Sequence, residues 1–97
     1  MKYSLIVSDD VRDFVRHLPP ELKKKIKQAL TDIVQSPDSG KPLAEELKGL
    51  RSYRVGRMRI VYRLESHAVH LITIGPRKTV YHKAALEIKH QLEGEGR

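Results

Sequence analysis

Arg54 and Arg59 are the residues whose placement first invites a chemical reading. They flank Val55-Gly56-Arg57-Met58, where Gly56 can take the positive φ that the first central position of a two-residue type II′ turn demands. Such a turn fixes a hairpin register in which Val55 faces Met58, Arg54 faces Arg59 and Tyr53 faces Ile60. The apolar pairs then share one side of the sheet and the two arginines share the other. Like charges directly opposed across a sheet are unfavourable by up to ~1 kcal/mol, so two guanidiniums held side by side point to an anion between them. Phosphate best matches their planar, forked donors. Lys48, Arg51 and Arg57 extend the positive ground, and no acid occurs from Leu47 to Leu64 to neutralise it. An edge hairpin whose solvated arginines discourage strand addition is the open alternative.

The elements that must hold this hairpin are readable from periodicity. Tyr3 to Val7 is expected as a short strand, with Ser8 or Asp9 as N-cap of the next helix. Val11, Phe14, Val15 and Leu18 form one helical stripe that stops at Pro19-Pro20, and Leu22, Ile26, Ala29, Leu30, Ile33 and Val34 form a second. The prediction is a helical hairpin with a proline corner. Lys23, Lys24, Lys25 and Lys27 on the second helix read as a solvated face, because acids balance them in the same half. Ser36 to Glu46 is expected to be a connection with one helical turn. From Ser52 the period becomes two, giving the arginine hairpin and a further, more apolar strand from Ala68 to Ile74. Gly75-Pro76 ends that strand. Thr79 to Tyr81 is expected as a last extended piece before a short C-terminal helix ending near Leu92, with residues 93–97 as a frayed tail.

Length and composition narrow the classes. The 97 residues, 39% hydrophobic and 32% charged, suit one folded domain over residues 1–97. With no cysteine, disulfide frameworks, thiolate metal sites and cysteine nucleophiles are excluded. Met1 to Val7 is too short an apolar run for a signal peptide, and no stretch reaches the ~20 apolar residues of a membrane span, so a cytoplasmic protein is expected. Residues 1–47 carry eight basic and eight acidic side chains, whereas residues 48–97 carry eleven basic and four acidic, which supplies the whole net charge of +7. A charge excess confined to one half points to a polyanionic partner on one face. His67 and His70, three apart, make a poor metal pair, and Asp9, Asp10 and Asp13 read as acids of a helix's first turn.

Further matches accompany these features. Leu47-Lys48-Gly49-Leu50, Tyr53-Arg54-Val55-Gly56 with Arg59-Ile60-Val61-Tyr62, and Ile74-Gly75-Pro76-Arg77-Lys78-Thr79-Val80-Tyr81 occur in the order and spacing of a known family. The chain resembles the RelE/ParE superfamily of bacterial type II toxins over nearly its whole length. That resemblance implies an α+β fold, with an N-terminal strand and helical hairpin packed on a small, mainly antiparallel sheet and a short C-terminal helix.

The RelE branch implies a ribosome-dependent mRNA endonuclease, using the 2′-OH of mRNA in the A site to attack the adjacent phosphate without a metal or other cofactor. By position, Arg59 and Arg77 match the phosphate-stabilising arginines, and Arg54 matches a catalytic lysine or arginine. Tyr81 matches the C-terminal tyrosine, and His82 beside it has an unperturbed pKa suited to acid–base work. Lys48, Arg51, Arg57, Arg63 and Lys78 are assigned to RNA binding. Gly56 stands where the branch carries a proposed lysine base, so Tyr81 or His82 would take that step. The expected partners are an acidic, RelB-like antitoxin and, as the toxin–antitoxin complex, operator DNA. The ParE branch implies instead a non-enzymatic inhibitor of DNA gyrase, and a degenerate toxin that only binds antitoxin is the third possibility.

Overall fold

In the computed structural model, which describes residues 3–95, the N-terminal strand β1 (Ser4–Ile6) leads into helix α1 (Asp9–Arg16). The Ser8 hydroxyl accepts from the Val11 N–H at 3.2 Å, and Asp9 and Asp10 complement the positive end of the helix dipole. Pro20, whose missing N–H is harmless at a first helical position, opens α2 (Pro20–Gln35). Two short 3-10 turns, Pro37–Ser39 and Glu45–Leu47, enclose the two-residue strand β2 (Lys41–Pro42). The meander β3 (Leu50–Val55), β4 (Met58–Glu65) and β5 (Ala68–Pro76) follows, and α3 (Arg77–Glu95) closes the chain.

The sheet order is β1-β5-β4-β3-β2, with β1 parallel to β5 and the other pairs antiparallel. One face receives the helical hairpin: Ile26, Ala29 and Ile33 of α2 belong to a buried cluster with Ile60, Tyr62, Val69, Leu71 and Ile74. The other face receives α3, whose Val80 and Ala84 pack with Leu47, Leu50, Val61 and Ile72. Full burial of each large apolar side chain contributes roughly 1.5–3 kcal/mol, so the arginine hairpin stands on a stiff support. A register shift between Val61 and Tyr62 pairs them with Thr73 and Leu71, leaving Ile72 as the extra residue. That bulge sends Ile72 to the α3 side while Leu71 and Ile74 stay on the hairpin side. Tyr62 is fully buried; its hydroxyl donates to the Pro37 carbonyl at 2.7 Å and accepts from the Gly40 N–H at 3.0 Å. Burial raises its pKa above the usual phenol value, keeping that donor in place.

Two expectations need correction. Thr79 to Tyr81 is not extended, because α3 starts at Arg77, and the C-terminal helix is long, at 19 residues. The β-branched pair Thr79-Val80 favours a strand locally, but Val80, Ala84 and Ile88 recur at helical spacing and reach the second core cluster, so burial outweighs propensity. Ser36 to Glu46 also contains a strand, β2, beyond the expected helical turn. Of the tail expected to fray, the backbone of residues 93–95 continues α3, and residues 96–97 lie outside the described residues.

Candidate nucleic-acid interface

The turn at Gly56 has the expected geometry: φ is +59° at Gly56, and Val55 pairs with Met58, Arg54 with Arg59 and Tyr53 with Ile60. Arg54 and Arg59 therefore stand opposite each other on the face that α3 covers. On the other flank of Arg59 its cross-strand partner is Gly75, which brings no side chain. A Cβ on Gly75 would lie 3.2 Å from Lys83 Nζ and 3.7 Å from Val80 Cβ, so its absence lets the first turn of α3 settle against β5. That turn begins with Arg77 and Lys78, directly after Pro76.

These elements enclose a cavity of about 410 Å³ lined by Arg54, Gly56, Arg57, Arg59, Pro76, Arg77 and Lys78. Five of these seven residues are cations and none is an acid. Among the described residues none of the five takes part in a salt bridge. The protein bond that holds one of them is from Arg54 Nε to the Gly56 carbonyl, at 3.3 Å. Two features of this cleft oppose stability: arginines face each other across β3 and β4, and cations occupy the first turn of α3, where the dipole is already positive and no acid is present. A phosphate in the cleft offsets both, because it supplies the counter-charge and can meet the free N–H groups of the helix end.

Five of the ten side chains singled out from sequence thus come together: Arg54, Arg57, Arg59, Arg77 and Lys78. The other five do not line the cleft. Tyr81 lies one turn beyond Arg77, half-buried against the α3-side core, with its hydroxyl 3.1 Å from Ser52 Oγ. His82 is exposed, a further 100° around the helix. Lys48 is exposed beside the second 3-10 turn. Arg51 lies on the opposite face of β3, where it donates to the carbonyls of Asp38 at 3.1 Å and Gly40 at 2.7 Å, tying down the connection before β3. Arg63 shares a face with Arg59, but its guanidinium is 3.0 Å from Glu65 Oε1 and 3.0 Å from His70 Nδ1. His70 Nδ1 also lies 3.3 Å from Glu65 Oε1, and the Glu65 carboxyl is held below its usual pKa first by the Arg63 bond and next by this His70 bond.

Ser52 and Gly75 are participants that the sequence reading passes over. Ser52 is a buried polar residue two positions before Arg54, hence on the same face, and that alternation is its sequence signal. Gly75 becomes visible only once Arg59 is known to sit opposite it. Among the described residues no group of three or more His, Asp or Glu is assembled to hold a metal ion, and no helix is long and apolar enough to cross a membrane.

Comparison with known proteins agrees with this architecture. Residues 2–81 match the family described as the ParE toxin of type II toxin–antitoxin systems, parDE. The chain is similar to a protein in the Mycobacterium tuberculosis RelBE2 toxin–antitoxin complex, with 28% identity, TM-score 0.70, and coverage of 79% of this chain and 100% of that one. It is also similar to a mutant of the E. coli toxin RelE in the free state, with 20% identity, TM-score 0.74, and coverage of 91% of this chain and 99% of that one. An archaeal RelE–RelB complex from Pyrococcus horikoshii contains a further similar chain, at 18% identity and TM-score 0.65, over 79% of this chain and 97% of that one. The search of curated proteins gives no match. The chain belongs to the ParE toxin family, within the RelE/ParE superfamily, and is a toxin of a type II toxin–antitoxin system.

Proposed function

We propose that this toxin is an endoribonuclease that cuts mRNA in the ribosomal A site, in the cytoplasm, and so halts translation. The observation that carries this reading is the acid-free cleft of five cations at the N-terminus of α3. In the reaction the mRNA 2′-oxygen forms a bond to the adjacent phosphorus and the bond from phosphorus to the 5′-oxygen breaks. One product end is a 2′,3′-cyclic phosphate and the other a 5′-hydroxyl.

Negative charge builds on the phosphoryl oxygens at the transition state, and Arg54, Arg59 and Arg77 are placed to meet it. Removing one such preorganised donor typically costs about 10²–10³ in rate. The cleft is lined by four arginines and one lysine with no histidine or carboxylate, so their contribution is charge and orientation. Tyr81, one turn from Arg77, is the side chain assigned to proton transfer once RNA releases it from Ser52. An acidic, RelB-like antitoxin is the assigned neutralising partner, and operator DNA is assigned to the toxin–antitoxin complex.

A second reading has its own support. The family match is to ParE toxins, and the cleft is lined by no histidine or carboxylate, which suits a non-enzymatic inhibitor of DNA gyrase. One experiment separates the two: purified protein is added to a translating extract and, in parallel, to a gyrase supercoiling assay. New mRNA 5′ ends within coding sequence support the nuclease. Intact message with arrested supercoiling replaces it with the gyrase reading.

A further inference from the structure

α3 rests on the sheet through Val80 and Ala84, and Arg77 lies on the same stripe, at i, i+3 and i+7. The seam that buries the helix therefore runs, at its N-terminal end, into the arginine cleft. Any roll of α3 about its axis swings Arg77 directly. At the ~6 Å outer radius of a helix, a roll of ~10° carries a side-chain tip about 1 Å. A valine and an alanine make small, non-directional contacts that resist such a roll only weakly.

Among the described residues, two side-chain hydrogen bonds tie α3 to the sheet: Tyr81 to Ser52 of β3, and Lys83 Nζ to the Ile74 carbonyl of β5, each at 3.1 Å. Tyr81 and Lys83 are about 200° apart around the helix, so they brace opposite flanks of the seam. The Lys83 ammonium also stands 5.2 Å from the centroid of the Phe14 ring of α1. Gly75 makes room for it, since a Cβ there would lie 3.2 Å from Nζ. Asp10 and Glu87 line the same cavity of about 540 Å³, and Glu87 is one helical turn on. Among the described residues neither forms an ion pair with Lys83. The carbonyl and the ring, rather than a carboxylate, set the place of this ammonium.

We propose that Lys83 is a positioning residue that fixes the roll of α3 and so keeps Arg77 aimed into the cleft. The inference rests on the cleft as the phosphate site of the proposed reaction. That reaction has RNA releasing Tyr81 from Ser52, which leaves the Lys83 bond to hold the roll. Lys83 does not line the cleft, so it acts through Arg77. The competing role is a lysine that only covers a strand edge: β1 pairs with β5 as far as His70, and Ile74 lies beyond. Such a role predicts no link to Arg77.

The test is a double-mutant cycle on the full-length protein, with single-turnover cleavage of ribosome-bound mRNA and oligouridylate binding as parallel readouts. K83M keeps the aliphatic stem and loses the donor. It should slow cleavage about 10- to 100-fold, the scale of a 1 Å misplacement. The thermal midpoint should fall by no more than about 5 °C, because Lys83 is exposed. K83R, which retains a donor for the carbonyl, should recover the rate to within about threefold. In an R77A background K83M should cost less than about twofold, because the side chain it aims is gone. If the wild type binds oligouridylate without cutting message, the nuclease reading fails and the same cycle is read in binding, where K83M should weaken oligouridylate only when Arg77 is present. Losses that multiply in R77A/K83M, a K83R no better than K83M, or a K83M that lowers the midpoint alone would each overturn the positioning role. A wild type that neither cuts message nor binds oligouridylate would remove the cleft reading and this inference with it.

Discussion

β4 carries two arginines on the face that α3 covers, and they have opposite fates. Arg63 is locked to Glu65 and His70 at 3.0 Å each, beside the turn that joins β4 to β5. Arg59, four residues away and about 13 Å along the strand, has another arginine opposite it, a glycine on its far side and no acid in its cleft. Residue type, strand and face are the same, so the neighbours decide. A guanidinium with a carboxylate beside it is part of the architecture, whereas one held among like charges is poised for an anion that arrives from outside.

The largest effects expected are therefore on function, at the unpaired end. R59A and R77A should each lower mRNA cleavage in a translating extract by about 100-fold or more, since each removes a donor aimed at the developing charge. Neither should destabilise the fold, and R59A should slightly raise the thermal midpoint by relieving the repulsion from Arg54. R63A should leave cleavage within about twofold, in the range typical of a peripheral charge far from the reacting phosphate. Equal losses in R59A and R63A would show that the whole sheet face acts as a diffuse basic surface, and the contrast between the two arginines would collapse.

Much of this contrast is legible before any coordinates. The type II′ turn at Gly56 alone fixes the Arg54–Arg59 pairing, and alternation from Tyr53 and Ile60 assigns Tyr62 to the core, where it is fully buried. Arg51 is three positions from Arg54, an odd number, so the pleat itself sends it to the opposite face; grouping it with the cleft ignored that parity. Glu65, two positions beyond Arg63, is the same-face partner that alternation places beside it. The rest needed tertiary structure. Nothing local marks Ile72 as the bulged residue or Lys41-Pro42 as a strand. The helical start at Arg77 depends on the apolar surface that Val80 and Ala84 find on Val61 and Ile72. Tyr81 looked like part of the arginine site because the separation of the two residues in sequence was visible and the Ser52 hydroxyl was not.

A smaller effect tests whether Tyr81 acts or merely packs. Both Y81F and S52A remove the 3.1 Å bond between the two hydroxyls, and each should cost about 1 kcal/mol of stability. Their kinetics should differ: Y81F should lower cleavage by about 100-fold, the low end of the usual contribution of a proton-transferring group, while S52A, which frees the tyrosine hydroxyl, should retain it. A purely structural tyrosine would make the two variants alike in both measurements.

The smallest effect belongs to the paired end and concerns acid stability. The Glu65 carboxyl has its pKa held below the ordinary 4.5 first by the hydrogen bond from Arg63 and then by that with His70. A carboxyl with a lowered pKa in the folded state stabilises the fold above its unfolded pKa, and that contribution disappears as pH falls through the folded value. The thermal midpoint of the wild type should accordingly exceed that of E65Q near neutrality, and the gap should close as pH drops below 4.5. R63A should narrow the gap at neutral pH as well, because it removes the leading cause of the shift. R59A should leave the whole profile in place, since among the described residues no carboxylate pairs with Arg59; a pH profile altered equally by both substitutions would mean that the two ends of β4 are electrostatically one site.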